Sequence, residues 1–240
     1  MRLDALPGIP EVRPGEDLAA LLRDRVELGP ADVLVIAHKV VSKAEGRIRR
    51  LADIEPSERA RELAAEHDKD PRHVQAILDE TTELLRADRG RLICRTRHGF
   101  VCANAGVDQS NTGEPDTVVL LPEDPDASAR ALHAALGVGA VVITDSWGRP
   151  WRQGQVEVAI GSAGLRALVD HRGWPDRDGR EMAASVIAIA DEVAAAADLV
   201  RKKASGEPAV RVRELEELLS EESEEGATAL VRPPEDDLFT

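Results

Sequence analysis

A chain of 240 residues with 42% hydrophobic content is long enough to bury a substantial core in one large domain or two small ones. Aromatic residues make up only 2%, with no Tyr, so the core must be aliphatic and stacking of bases on aromatic rings is excluded as a major binding mode. The formal charge is −14, of which residues 214–240 carry −9 through ten acids against the single base Arg232; this excludes a polyanion-binding surface and leaves room for a small phosphorylated ligand in a local basic pocket.

In chain order, the N-terminus lacks the apolar core of a signal peptide, and no run approaches about 18 apolar residues, so no membrane contact is expected. The pattern predicts a helix over 18–25, then a buried strand over 32–38 behind Gly29-Pro30, which delivers His38, Lys39, Ser42 and Lys43 to a strand end. A helix is expected from Pro56-Ser57 to His67. Another opens with Asp70 as N-cap and Pro71 at the first position, with Val74, Ile77, Leu78, Leu84 and Leu85 on one apolar face. Strands follow over 91–97, 117–121, 140–144 and 156–160, with a helix over 126–136 between the second and third. Cys94 and Cys102 sit in apolar, strand-like contexts; two thiols without a signal peptide fit buried free cysteines in a reducing cytoplasm. An Ala-rich helix is expected from Arg180 to about Ala204, then a last strand over 208–213, then an acidic segment read as a solvated helix or disordered tail. The fold class is α+β, with mixed or antiparallel sheets and packed helices. Residues 1–213 read as one domain, with room for two subdomains, and 214–240 as an acidic tail or linker.

The chemistry concentrates in two segments, Asn104-Ala-Gly-Val-Asp108-Gln-Ser-Asn111 and Ile143-Thr-Asp145-Ser146-Trp-Gly-Arg149-Pro-Trp-Arg152. Each places a carboxylate, a hydroxyl or amide and a glycine turn after strand-forming residues, a combination that can hold a hard divalent cation against a phosphate. Either aspartate alone is explained equally well as a turn former. Lys39, Lys43, Arg47, Arg149 and Arg152 are candidate phosphate or carboxylate partners, each ordinary as a solvated charge and more informative as a group. There is no G-x-x-x-x-G-K-[ST] loop, and the one G-x-G, Gly137-Val-Gly139, joins a helix to a strand, the reverse of a dinucleotide fingerprint.

Five ordered motifs carry a resemblance: Leu6-Pro-Gly-Ile-Pro10, His38-Lys-Val-Val-Ser-Lys43-Ala-Glu-Gly46-Arg47, Arg97-His-Gly-Phe-Val-Cys-Ala-Asn-Ala-Gly-Val-Asp108-Gln-Ser-Asn111, Leu121-Pro-Glu-Asp-Pro-Asp-Ala-Ser128 and the Asp145 segment. Over residues 3–213 they resemble the coenzyme F420:L-glutamate ligases, the gamma-glutamyl ligases of deazaflavin coenzyme biosynthesis. The resemblance implies a family-specific α+β fold in an intertwined homodimer, and a GTP-dependent ligase that adds L-glutamate to coenzyme F420-0. It also implies two divalent cations, Mg²⁺ or Mn²⁺, with stimulation by K⁺. Carried over by residue, Gly8, Ile9, Pro10, Glu11, His38, Lys39, Lys43 and Asn111 match nucleotide-contacting positions, and Asp108, Asp145 and Ser146 match metal-binding positions. Ser146 stands where the family often has Thr.

Activation by GTP implies an acyl-phosphate intermediate that the glutamate amine opens. His38 and His98 are candidate general bases and neither stands out; Arg149 and Arg152 are candidate substrate clamps. Two departures fall near the C-terminus: Arg201-Lys202-Lys203 against the usual Gly-Lys, and Arg213-Glu214 against the usual Arg-Gly. They keep an alternative open, a non-catalytic guanine-nucleotide-binding regulatory homologue. The last residues, from Leu230 to Phe239, resemble the junction at which two-domain actinobacterial versions continue into a nitroreductase-like flavin domain.

Overall fold

A computed structural model describes residues 1–202, 205–220 and 225–237. The elements are β1 (Arg2–Ala5), α1 (Leu18–Arg23), β2 (Val33–Ala37), α2 (His38–Ala44), β3 (Ile48–Arg50), α3 (Glu58–His67), α4 (Pro71–Asp79), β4 (Thr81–Asp88) and β5 (Arg91–Thr96). They continue with β6 (Val101–Ala103), β7 (Thr117–Val119), α5 (Pro125–Leu136), β8 (Ala140–Arg149), β9 (Arg152–Ala163), β10 (Val169–Asp170), β11 (Val186–Ile187), α6 (Ile189–Arg201) and β12 (Ala209–Arg213). This is a mixed α+β architecture, as expected.

The organising element is a five-stranded sheet of order β1-β12-β2-β8-β9, in which only β2 and β8 run parallel. The run Val33-Leu-Val-Ile36 is apolar at every position because both of its faces are covered. Leu34 and Ile36 pack with Val141 and Ile143 under Leu18 and Leu22 of α1 and Ala129, Leu132 and Leu136 of α5. Val33 and Val35 face the other way with Val142, Val210 and Val212, against Ala190, Val193, Ala194 and Ala197 of α6. The small residues of α6 let it lie close on the sheet. A second body, built from α3, α4, the β3-β7 pair and the β4-β5-β6 sheet, has its own core around Leu51, Leu63, Ile77, Leu92 and Val118.

Side-chain caps start the helices where the sequence suggested: Ser57 accepts from the Ala60 amide ahead of α3 and Asp70 from the Arg72 amide ahead of α4. Hydrogen bonds from the Arg72 side chain hold the Asp70 carboxyl down at about 2. Cys94 and Cys102 are free and buried, directly opposed across β5 and β6, and burial pushes both thiols up from their ordinary range. Among the described residues no helix is long and apolar enough to cross a membrane.

Three expectations are corrected. The face predicted for α4 stops at Asp79; Leu84 and Leu85 belong to β4, where the β-branched pair Thr81-Thr82 opens a strand against β5. The helix expected from Arg180 begins only at Ile189, because residues 169–187 form a hairpin whose turn is tied by Asp176 Oδ1, which accepts from the Asp178 and Arg180 amides. Its expected end at Ala204, like Lys203, lies outside the described residues; the helix ends at Arg201. In the acidic segment, of which 221–224 and 238–240 lie outside the described residues, Leu215, Leu218, Leu219, Ala227 and Leu230 pack on the α6 side of the sheet. Asp126 anchors it by accepting from the Ala227 and Thr228 amides and the Thr228 hydroxyl.

Candidate active site

The parallel strands β2 and β8 run toward a cavity of about 680 Å³. Ligand sites of open sheets favour the carboxyl ends of parallel strands, where the chain leaves the sheet and side chains converge. Ile9, Pro10 and Glu11 line the cavity from the N-terminal loop, His38, Lys39 and Lys43 from α2, Asp108, Ser110 and Asn111 from the loop before β7, and Asp145 and Ser146 from β8. Gly8 is not on the wall; it sits one residue before Ile9 with φ +76°, turning the chain toward it. Arg149 and Arg152 lie beyond the cavity where β8 hands over to β9, and Arg149 Nη2 donates to the Gln153 carbonyl. His98 is also away from it, stacked on Phe100 with Nε2 3.1 Å from the carbonyl oxygens of Pro122 and Glu123. Arg47 is occupied elsewhere, bridging Glu80, Glu123 and the Leu121 carbonyl.

Asp108 is presented by a strained loop. Asn104 and Ala105, at φ +55° and +52°, form a left-handed turn with Gly106, and the chain then makes a single bridge between Asp108 and Val119. Gly106 is required here, since a Cβ would stand 2.6 Å from Leu121 Cγ. Asp108 Oδ2 lies 2.6 Å from Lys39 Nζ, and Oδ1 accepts from the Ser110 amide. Burial acts to raise the Asp108 carboxyl, but Lys39 and the Ser110 amide outweigh it and hold it below the usual range. Lys43, only 4% exposed, is neutralised by Glu11.

Asp145 lies within β8 rather than at a strand exit, because β8 extends to Arg149. Its carboxylate meets His38 Nε2 at 3.5 Å, accepts from Trp147 Nε1 at 2.8 Å and accepts from the Ser146 amide. Burial acts to raise this group too, and His38, Trp147 and the amide reverse it. Ser146 alternates to the other face of β8, where its hydroxyl donates to Glu157 of β9, and Arg201 Nη2 stands 2.6 Å from the second Glu157 oxygen. Glu157 and Arg201 both line the cavity and were not expected to. The available signal was a glutamate inside the apolar run from Val156 to Ile160.

Among the described residues no group of three or more His, Cys, Asp or Glu side chains converges as a metal cage. Cations here would draw the Asp108 and Asp145 carboxylates and, from the opposite face of β8, the Ser146 hydroxyl, and would complete their shells with water and phosphate oxygens, as small hard dications prefer. The donors fit such an ion. All are hard oxygens, both aspartates are held ionised, and the internal cations Lys39 and Arg201 rest on Asp108 and Glu157.

The family departures have a clear geometry. Lys202 has φ +56° and Glu214 φ +67°, so the backbone keeps a glycine-type conformation at both positions. Glu214 takes the N-terminal ammonium at 2.8 Å, and Lys202 lies on the cavity wall.

A sequence profile for the family described as F420-0:Gamma-glutamyl ligase matches residues 8–214. The chain is 47% identical over 246 residues to the coenzyme F420:L-glutamate ligase of Methanopyrus kandleri, covering 100% of this chain and 97% of that protein. It is 48% identical over 241 residues to that of Natronomonas pharaonis, covering 98% and 92%. Against that of Methanothermobacter thermautotrophicus it is 43% identical over 248 residues, covering 99% and 98%. On that breadth of agreement, the chain belongs to the F420-0:gamma-glutamyl ligase family.

Proposed function

We propose that this chain adds L-glutamate to coenzyme F420-0 through a gamma-linked amide, with GTP as the activating co-substrate, and that it works as a homodimer. The observation that carries this reading is the convergence of Lys39, Lys43, Asp108, Asp145 and Ser146, from three distant segments, on one cavity in a chain of this family. The relatives' names, coenzyme F420:L-glutamate ligase, support the choice of acceptor and amino acid.

An amide does not form from a carboxylate and an amine in water without activation. In the proposed first step a carboxylate oxygen of coenzyme F420-0 forms a bond to the γ-phosphorus as the bond to the β–γ bridging oxygen breaks, giving an acyl phosphate and GDP. Lys39 and Lys43 bind the phosphate oxygens as point charges, exchanging Asp108 and Glu11 for the nucleotide. The glutamate amine then attacks the acyl carbon and phosphate leaves, taking up the proton that the amine gives up. Two Mg²⁺ or Mn²⁺ ions held by Asp108, Asp145 and Ser146 would neutralise charge on the phosphoryl group, with K⁺ as a further stimulating ion. The remaining task of the protein is to hold the reactants in line and keep water from the acyl phosphate. His38 lines the cavity, but its Nδ1 faces the Ser42 hydroxyl at 3.2 Å and its Nε2 faces Asp145. No general base is assigned.

The competing regulatory reading rests on Lys202 and Glu214, which both hold a positive-φ, glycine-type backbone. Mass spectrometry of a reaction with coenzyme F420-0, glutamate, GTP and Mn²⁺ separates the two. The expected result is a product carrying added glutamyl units; GTP binding without any added unit would favour the regulatory homologue. Asp108→Asn and Asp145→Asn should fold and lose about 10²-fold or more in ligation, since an amide is a poor ligand for a hard dication.

A further inference from the structure

Behind Ser146 lies a polar cluster with no role in the chemistry above. Glu157 is 4% exposed, Arg201 6% and Thr144 0%. Ser146 and Glu157 are directly opposed in the β8-β9 pairing, Thr144 shares the Ser146 face of β8, and Arg201 is the last residue of α6. Arg201 Nη1 donates to Thr144 Oγ1 at 3.2 Å while Nη2 reaches Glu157 at 2.6 Å and Asp198 at 3.5 Å. One arginine therefore fixes the carboxylate that receives the Ser146 proton.

A buried ion pair is weak evidence for a stability device, since apolar residues of similar volume usually fill such a place as well or better. Its position on a cavity wall against a proposed ligand asks for another role. A serine hydroxyl rotates among staggered wells, and a proton turned toward a dication would oppose ligation. A carboxylate that accepts this proton turns it to the wall and raises electron density on the oxygen, as carboxylates do when they accept from the second nitrogen of a metal-bound histidine.

We propose that Glu157, held by Arg201, is a positioning residue that fixes the Ser146 hydroxyl as a ligand for the dication at the nucleotide's phosphates. The inference rests on the metal reading of Ser146, and the test separates the two. Mn²⁺ binding is titrated by electron paramagnetic resonance in the presence of GDP for the wild type, Ser146→Ala, Glu157→Gln and the double variant, with GDP affinity measured alongside without metal. Glu157→Gln should weaken Mn²⁺ binding about tenfold, the lower end of what loss of an outer-shell partner costs. It should leave metal-free GDP affinity unchanged. In turnover it should raise the KM for Mn²⁺ while kcat recovers at saturating Mn²⁺. Added to Ser146→Ala, it should weaken binding no further.

Wild-type Mn²⁺ affinity in Glu157→Gln, or effects of the two changes that multiply, overturns the positioning role while the metal reading stands. Wild-type affinity in Ser146→Ala overturns the metal reading of that residue, and this inference with it. If Glu157→Gln does not fold because Arg201 is stranded, Glu157→Gln with Arg201→Gln removes both charges and takes its place in the cycle, with the same outcomes.

Discussion

Replacing Lys202 by glycine should stabilise the protein. Lys202 follows α6 with φ +56° and ψ 125°, and its amide reaches back to the Asp198 carbonyl at 3.4 Å. Holding an L-residue at positive φ costs roughly 1–2 kcal/mol, which glycine does not incur. Glycine gives back about 0.5–1 kcal/mol through the greater freedom of the unfolded chain. The net expectation for Lys202→Gly is a gain of about 0.5–1 kcal/mol, or a Tm higher by about 1–4 °C for a chain of this size. Urea unfolding followed by circular dichroism, with Lys202→Ala as control, is the assay. Alanine removes the same side chain but keeps a Cβ, so it should show no gain. Equal stabilisation by alanine and glycine would assign the effect to the lysine charge, and a loss on glycine substitution would refute the strain argument outright.

Gly161 of β9 packs against the first turn of α5, where a Cβ would meet the Pro125 carbonyl oxygen at 2.3 Å; Gly161→Ala should cost about 1–3 kcal/mol or more in urea unfolding, as overpacking does, and a neutral result would show that α5 can shift freely. Acid should weaken the fold through His73 and His98, whose imidazoles burial pushes below the ordinary value of 6.5. With folded values depressed, their contribution is full above pH 6.5 and is lost as pH falls below it, because the unfolded chain then binds protons that the fold refuses, at up to about 1.4 kcal/mol per pH unit for each group. Unfolding midpoints at pH 7.5 and 5.5 should fall less in a His73→Gln, His98→Gln double variant than in the wild type; equal falls would exclude these two residues as the cause.

What was legible in the sequence is what local pattern or adjacency encodes. The Val33–Ile36 run reads as a buried strand, and Ser57 and Asp70-Pro71 mark helix starts that the side-chain caps confirm, while the helix expected from residue 126 starts at Pro125 behind an Asp124 cap. Misreadings came where apolar residues cross a boundary without a change of character. Ala183 to Ile187 continue the composition of α6 while their backbone serves a hairpin, and Leu84 and Leu85 prolong the period of α4 into a strand. At the site, the strand-to-helix step that brings Lys39 and Lys43 to one wall was visible as a basic cluster, although α2 itself was not foreseen. The Glu157–Arg201 pair was hidden because its members are distant in the chain and meet only through the packing of α6 on β9. Lys202 and Glu214 drew notice only as departures from a resemblance, and the positive φ at each is the conformation that glycine adopts without strain.

The central claim is that Asp108, Asp145 and Ser146 hold dications against a nucleotide phosphate in one cavity. A crystal grown with GDP and Mn²⁺, phased at the manganese absorption edge, tests it most directly. The account predicts anomalous peaks coordinated by these three side chains, with Lys39 moved from Asp108 to a phosphate oxygen. Manganese bound elsewhere, or GDP seated in the cavity with Lys39 still on Asp108 and no metal beside it, would contradict it.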